Sequence, residues 1–324
     1  PETGAETNSE EAALPVKTEE GTILLTPEEI RAALDAGTLD ESSIDPACLT
    51  DENGLLSWLW NLLFGRSDKD DSDSGNSTPA PVYSGWRTVG GKTYYYDQYT
   101  NQPVKGIQSI DNKLYYFDAN GVQQNATFGI DVSKYQSSID WEQVKTAGVK
   151  FVIIRIGYRG YTEGSIQEDA YFEQNLAGAI DAGLDVGVYF FSQAMDEQEA
   201  REEARFVLDK ISGYQLAYPV FFDWEKIGAD ARSDAMDLTS LTTVTDTFCS
   251  EIEAAGYQAG LYFNQQLGYE ELHLPSLQGY TFWLAEYNDT PSFTYDFDLW
   301  QYASDGSVDG IDGDVDLNLA FIGK

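Results

Sequence analysis

Tyr218-Pro219-Val220-Phe221-Phe222-Asp223-Trp224-Glu225 is an apolar run that ends in two carboxylates one residue apart. Its β-branched and aromatic residues, led in by Pro219 and closed by Lys226-Ile227-Gly228, predict a buried strand. Side chains alternate across a strand, so Phe221, Asp223 and Glu225 share one face while Val220, Phe222 and Trp224 share the other. The two carboxylates then point the same way, roughly 6–7 Å apart. Burying two like charges is unfavourable through both desolvation and repulsion, so their place at the end of a hydrophobic strand points to acid–base chemistry. The competing reading is an Asp and a Glu emerging into a solvated loop.

The residues around this run alternate between strand and helix patterns from Phe128 to the C-terminus. Strands are expected at 128–132, 150–157, 185–191, 217–225, 259–263, 281–287, 297–302 and 314–318. Helices are expected around 139–147, 168–183, 196–212 and 239–256, with little helical period between the last three strands. The predicted fold class is α/β: a TIM-like (β/α) barrel, irregular in its last third, over residues 128–324. Such barrels carry their active sites at the C-terminal ends of the strands. Three predicted strands place acids near that end: Asp131, the pair Asp223 and Glu225, and Asp316. Closure makes the first and last strands neighbours, which brings Asp131 and Asp316 together. In a chain with 55 acidic residues any one of them could be a surface acid. That explanation suits the convergent set poorly.

Residues 83–127 contain an internal repeat with a spacing of 21: Gly85 matches Gly106, Lys92 matches Lys113, and Tyr94-Tyr95-Tyr96-Asp97 matches Tyr115-Tyr116-Phe117-Asp118. Each copy reads as a β-hairpin, with turns at Val89-Gly90-Gly91-Lys92 and Ile110-Asp111-Asn112-Lys113. Residues 1–82 are acidic and read as largely disordered, apart from a short helix over 26–34 that starts with Thr26-Pro27-Glu28. The apolar stretch 53–64 is too short to span a bilayer and suits packing on a neighbour, association or membrane contact. Residues 66–81 form a linker rich in Ser, Asp, Gly and Pro. The chain opens at Pro1 without an initiator Met, as expected where a leader has been removed or the chain trimmed.

The net charge of −36 disfavours nucleic acid and anionic membranes as partners and suits an uncharged or polar substrate. Cys48 and Cys249 lie far apart, and His273 is the single histidine, so neither a disulfide framework nor a His or Cys metal site is suggested. His273 reads as a loop or strand-edge residue. No metal and no cofactor is expected.

The segment Phe128 to Phe321 resembles glycoside hydrolase family 25. The pieces that carry the resemblance are Gly129-Ile130-Asp131-Val132-Ser133 with Gln136, Gly187-Val188-Tyr189-Phe190-Phe191, Asp223-Trp224-Glu225, Gly260-Leu261-Tyr262, Trp283-Leu284-Ala285-Glu286-Tyr287, Leu299-Trp300-Gln301-Tyr302 and Val315-Asp316-Leu317-Asn318. The resemblance implies a secreted or cell-wall-associated lysozyme that cleaves the β-1,4 bond between N-acetylmuramic acid and N-acetylglucosamine in bacterial peptidoglycan. Carried over by position, Glu225 is the general acid, Asp223 orients the substrate's 2-acetamido group, and Asp131 and Asp316 complete the acidic floor. Retention and inversion both stay open. Tyr189, Tyr262, Trp283 and Trp300 are candidates for sugar stacking, Tyr189 and Tyr262 being the better placed near strand ends. Residues 83–127 resemble the cell-wall-binding repeats of choline-binding and glucan-binding proteins, which implies docking on a wall polymer through Trp86, Tyr95 and Tyr116. The competing functions are a non-catalytic glycan-binding protein, which would be expected to lack a strand-end acid, and a chitinase-like glycosidase, which would carry an Asp where this chain has Phe221.

Overall fold

A computed structural model describes residues 14–18, 21–25, 84–111, 113–228 and 231–321. The expected helix at 26–34, the apolar stretch 53–64 and the linker 66–81 lie outside them. Strands β1 (Leu14–Thr18) and β2 (Gly21–Leu25) form an antiparallel hairpin within the stretch read as largely disordered. Its register pairs Leu14 with Leu25 and Val16 with Ile23, a period-two apolar signal that the acidic surroundings masked.

The repeat forms the two expected hairpins. Strands β3 (Gly85–Val89) and β4 (Lys92–Tyr96) turn at Gly90 and Gly91, both at positive φ (55° and 75°), as a two-residue hairpin turn requires. Strands β5 (Gly106–Ile110) and β6 (Lys113–Phe117) follow, and a two-residue strand β7 (Gln123–Gln124) leads into the barrel. By contacts the chain divides into two compact units. One runs up to Val104 and includes Asn120–Gln123; the other comprises Lys105–Ala119 and Gln124 onward. The second hairpin therefore belongs to the same unit as the barrel. There Tyr116, only 4% exposed, packs edge-on against Trp300 at 5.5 Å between ring centres and against Phe321 at 5.6 Å. Tyr116 is thus structural and unavailable to a wall polymer, contrary to the expectation from the repeat. In the first unit Trp86 is 42% exposed and packs on Tyr95 at 5.1 Å.

The second unit continues with β8 (Thr127–Val132), α1 (Trp141–Thr146), β9 (Phe151–Arg159), β10 (Ile166–Glu168), α2 (Phe172–Ala182), β11 (Asp185–Ser192), α3 (Glu197–Ile211), β12 (Val220–Trp224), α4 (Leu238–Ala254), β13 (Ala259–Asn264), β14 (Thr281–Ala285), β15 (Leu299–Gly306) and β16 (Val315–Ala320). The barrel order is β8-β9-β11-β12-β13-β14-β15-β16, closing back onto β8, with β10 attached antiparallel to β9. Asp140, Asp196 and Asp237 cap α1, α3 and α4 by accepting from the backbone N–H three residues on, which fixes where each helix begins. Among the described residues no helix is long and apolar enough to cross a membrane.

Barrel neighbours are parallel except β16, which runs antiparallel to both β15 and β8. This reversal changes the reason Asp316 reaches the mouth. The acid sits near the start of β16, and only because that strand is inverted does its start lie beside the C-terminal ends of the others. In register Asp316 faces Asp131.

The strand alternation sorts the core into two layers. Val220, Phe222 and Trp224 pack outward beneath the helices, while Phe221 joins Phe151, Ile153, Tyr189, Tyr218, Trp283 and Leu299 inside the barrel. Large rings fill this interior because the neighbouring strand offers glycine at the paired position, Gly129 beside Phe151 and Gly260 beside Phe221. A Cβ at Gly129 would lie 2.4 Å from the Phe151 ring, and one at Gly260 would lie 2.5 Å from the Phe221 ring.

Candidate active site

Asp131, the fifth residue of β8, is 4% exposed. Its Oδ2 accepts hydrogen bonds from Gln301 Nε2 and Asn318 Nδ2, both at 2.8 Å. Each donor is itself held. Gln301 Oε1 accepts from the Tyr262 hydroxyl at 3.0 Å and from the Tyr287 hydroxyl at 2.8 Å, and Asn318 Oδ1 accepts from Trp283 Nε1 at 2.8 Å. Two tyrosines and an indole thus fix the amides that fix Asp131. Gln301 and Asn318 were not singled out as site residues from the sequence. The signal was present in their position, as polar residues on the inward face of β15 and β16, beside the apolar Leu299 and Ala320.

Asp223 lies one position from the end of β12 and is 5% exposed; its Oδ1 is buried without a hydrogen-bond partner among the protein atoms. Glu225 stands just past the strand, half-buried. Its carbonyl accepts from Gln193 Nε2 at 3.1 Å. Gln193 is fully buried, its Oε1 accepts from the Ser233 hydroxyl, and Arg232, paired with Glu199 at 2.6 Å, donates to its carbonyl. The return of the loop is closed by Ile227 N–H donating to Asp234 Oδ1 at 2.9 Å. The main chain at Glu225 is therefore clamped while its carboxyl stays at the mouth.

The mouth is electrostatically crowded. Burial, then the charges of Glu225 and Asp131, raise Asp223 well above the usual carboxylate range, against the pull of Arg155. Burial and the Asp316 charge raise Asp131, although the bonds from Asn318 and Gln301 oppose this. Burial and Asp316 also raise Glu225, and burial lifts Asp316 to about 6. Such a cluster retains protons at pH values where isolated carboxylic acids have lost them, and those protons belong to the group as a whole. Arg155, reaching the same region from β9, is committed to Asp169 by an ion pair at 2.8 Å. Among the described residues no group of His, Cys, Asp and Glu is arranged to hold a metal ion.

The aromatic candidates divide. Tyr262 is half-buried near its strand end, in register with Asp223. Tyr189 is 9% exposed and packs edge-on to Trp283. Trp283 is 1% exposed and serves Asn318 through its indole N–H, so it offers no face to a sugar. Trp300 is fully buried on the outward face of β15, under Tyr116, with its N–H donating to the Glu286 carbonyl at 2.7 Å. Expected stacking at Trp283 and Trp300 is thus corrected: both rings are enclosed by packing. Among the described residues Tyr287 offers an exposed ring near the mouth, 54% exposed; the sequence pointed to no role for it beyond its place in Trp283-Leu284-Ala285-Glu286-Tyr287.

A retained proton beside a buried carboxylate, both at the open end of a closed barrel, suits protonation of an ether oxygen with stabilisation of the cation left behind, which is the chemistry of a glycosidase. The family model of the glycosyl hydrolases family 25 matches residues 130–311, more than half of the chain, and the chain belongs to that family. It is therefore a glycoside hydrolase. The cell wall binding repeat of the choline-binding class matches residues 84–98 and 108–122. Lysozyme M1 of Streptomyces globisporus is 28% identical over 218 residues, covering 62% of this chain and 68% of that protein. The autolytic lysozyme of Clostridium acetobutylicum is 27% identical over 191 residues, covering 59% of this chain and 54% of that protein. The solved bacterial lysozyme of Streptomyces coelicolor superposes with a TM-score of 0.50 at 25% identity, over 60% of this chain and 91% of its own. The modular autolysin LytC of Streptococcus pneumoniae shares the fold, with a TM-score of 0.57 at 24% identity over 72% of this chain and 66% of its own.

Proposed function

We propose that the chain is a muramidase that hydrolyses the β-1,4 bond between N-acetylmuramic acid and N-acetylglucosamine in bacterial peptidoglycan, acting in the cell wall outside the membrane. The observation that carries this reading is the convergence of Asp131, Asp223, Glu225 and Asp316 at one end of a family 25 barrel. Glu225 protonates the leaving glycosidic oxygen, since burial and Asp316 hold its proton. Asp223, with an unpartnered buried oxygen facing the same way, orients the 2-acetamido group as its carbonyl oxygen attacks the anomeric carbon. Asp131 is fixed by Gln301 and Asn318 and shapes the floor with Asp316. Digestion of purified peptidoglycan followed by identification of the new reducing ends tests the reading. Reducing N-acetylmuramic acid is expected; reducing N-acetylglucosamine, or freed peptide without any new reducing end, would overturn it.

The assignment of Asp316 carries a pH prediction. Its charge raises Glu225, so Asp316→Asn should lower the acid's pKa and move the alkaline limb of the kcat/KM profile to lower pH. The same substitution should affect stability. A carboxyl titrating at about 6 when folded, against about 4 when unfolded, holds its proton more tightly in the native state, so stability falls as pH rises through 6. The melting point of Asp316→Asn should accordingly exceed that of the parent at pH 8 and approach it near pH 4. An alkaline limb that stays put or moves upward would remove Asp316 from the proton-holding group.

A further inference from the structure

Beyond the acidic mouth, the barrel unit holds a second concavity of about 700 Å³, whose lining includes Ile107, Tyr287, Asp289, Tyr302, Ser304 and Asp305. One wall is the second repeat. Ile107 belongs to β5, and at Gly106 the chain runs so close to the loop after β14 that a Cβ would lie 2.9 Å from the Asp289 carbonyl. Gly106 also has φ 68°, so both space and backbone conformation select glycine there. The facing loop is fixed in shape. Glu286 accepts from the Ser292 N–H and hydroxyl and from Asn288, each at 2.8 Å, and from Phe293 N–H at 3.2 Å. The groove is therefore preformed.

Tyr287 joins this groove to the mouth. Its hydroxyl donates to Gln301 Oε1, whose amide donates to Asp131, and its half-exposed ring also lines the groove. A polymer lying across Asp131 and leaving past Tyr287 enters the concavity. The lining has two tyrosine rings, two carboxylates and a hydroxyl, with no Lys or Arg. Rings accept the C–H face of a pyranose and carboxylates accept its hydroxyls. The repeat itself reflects this use: Ile107 stands where the first copy has Trp86, so the second copy lacks the aromatic residue at that position.

We propose that this groove is an additional sugar subsite, which holds the glycan strand beyond the cleaved bond, and that the second repeat builds the subsite instead of acting as a separate wall anchor. The proposal rests on the muramidase reading and assigns this chain a preference for long strands. The test uses the full chain with soluble, peptide-free glycan oligomers from tetrasaccharide to octasaccharide. For the parent, kcat/KM should rise with length by about tenfold, the equivalent of about 1.4 kcal/mol of added binding. Ser304→Trp, which fills the groove, and Asp305→Ala, which removes an acceptor, should each bring the octasaccharide-to-tetrasaccharide ratio toward one, mainly through KM. A readout independent of hydrolysis is calorimetric binding of the same oligomers to full-length Glu225→Gln, alone and combined with each groove substitution. A length-dependent affinity that these substitutions abolish supports the subsite. Length-independent affinity, or a length dependence untouched by both substitutions in folded protein, overturns it. If the parent binds in a length-dependent way yet cleaves no oligomer, the muramidase reading falls while the subsite stands as a glycan-binding groove.

Discussion

Glu225→Gln is expected to lower the rate of reducing-end release from peptidoglycan by at least about 100-fold, the usual contribution of a positioned general acid. The substitution preserves shape and leaves the clamp intact, because Gln193 bonds the main-chain carbonyl of residue 225 and not its carboxyl. Thermal unfolding and sedimentation with insoluble wall should stay near parental values. The size of the effect follows from what the amide lacks: it cannot deliver a proton to the leaving oxygen, and no other acid in the mouth shares its place. Asp131 is tied down by two amides, Asp223 lies deeper in the barrel, and Asp316 faces Asp131 across the sheet. Initial rates measured with matched melting curves decide the matter. Near-parental hydrolysis by Glu225→Gln would move the acid role elsewhere in the cluster.

The fold was largely legible because the barrel's two periods are written plainly. Inward and outward residues alternate on β12 as its sequence predicts, and the four predicted helices coincide with α1 to α4 to within a few residues. What alternation cannot encode is direction. A period-two pattern reads the same from either end, so the inversion of β16 had no sequence signal, although it decides that Asp316 and Asn318 meet Asp131. Closure also hid the role of polar residues. Gln301 and Asn318 look like ordinary strand residues until distant strands are brought beside Asp131. Aromatic residues mislead for the opposite reason. Trp283 and Trp300 look like sugar platforms in isolation, yet one supports Asn318 inside the barrel and the other lies under a hairpin contributed by a distant stretch of chain.

The two copies of the repeat should respond differently to the same substitution, although residues 95 and 116 are equivalent by sequence. Tyr116→Ala removes a ring enclosed between Trp300 and Phe321, and truncating a buried aromatic to Ala typically costs about 3–5 kcal/mol. At roughly 2–4 °C per kcal/mol for a unit of this size, the melting point should fall by about 10 °C. Its hydroxyl, pushed to about 12 mainly by burial, is part of the same enclosed environment. Tyr95 is half-buried and makes an edge contact with the exposed Trp86, an aromatic pair worth about 1 kcal/mol, so Tyr95→Ala should leave the barrel's transition almost unchanged. Wall sedimentation should show the reverse order, with Tyr95→Ala weakening pull-down more than Tyr116→Ala assayed well below its melting point. This division follows from geometry: a ring that covers Trp300 cannot also receive a polymer, whereas the Trp86 and Tyr95 pair presents an exposed aromatic surface. Equal melting points for the two variants would mean that the second hairpin is only tethered to the barrel and that its ring is not held by Trp300 and Phe321.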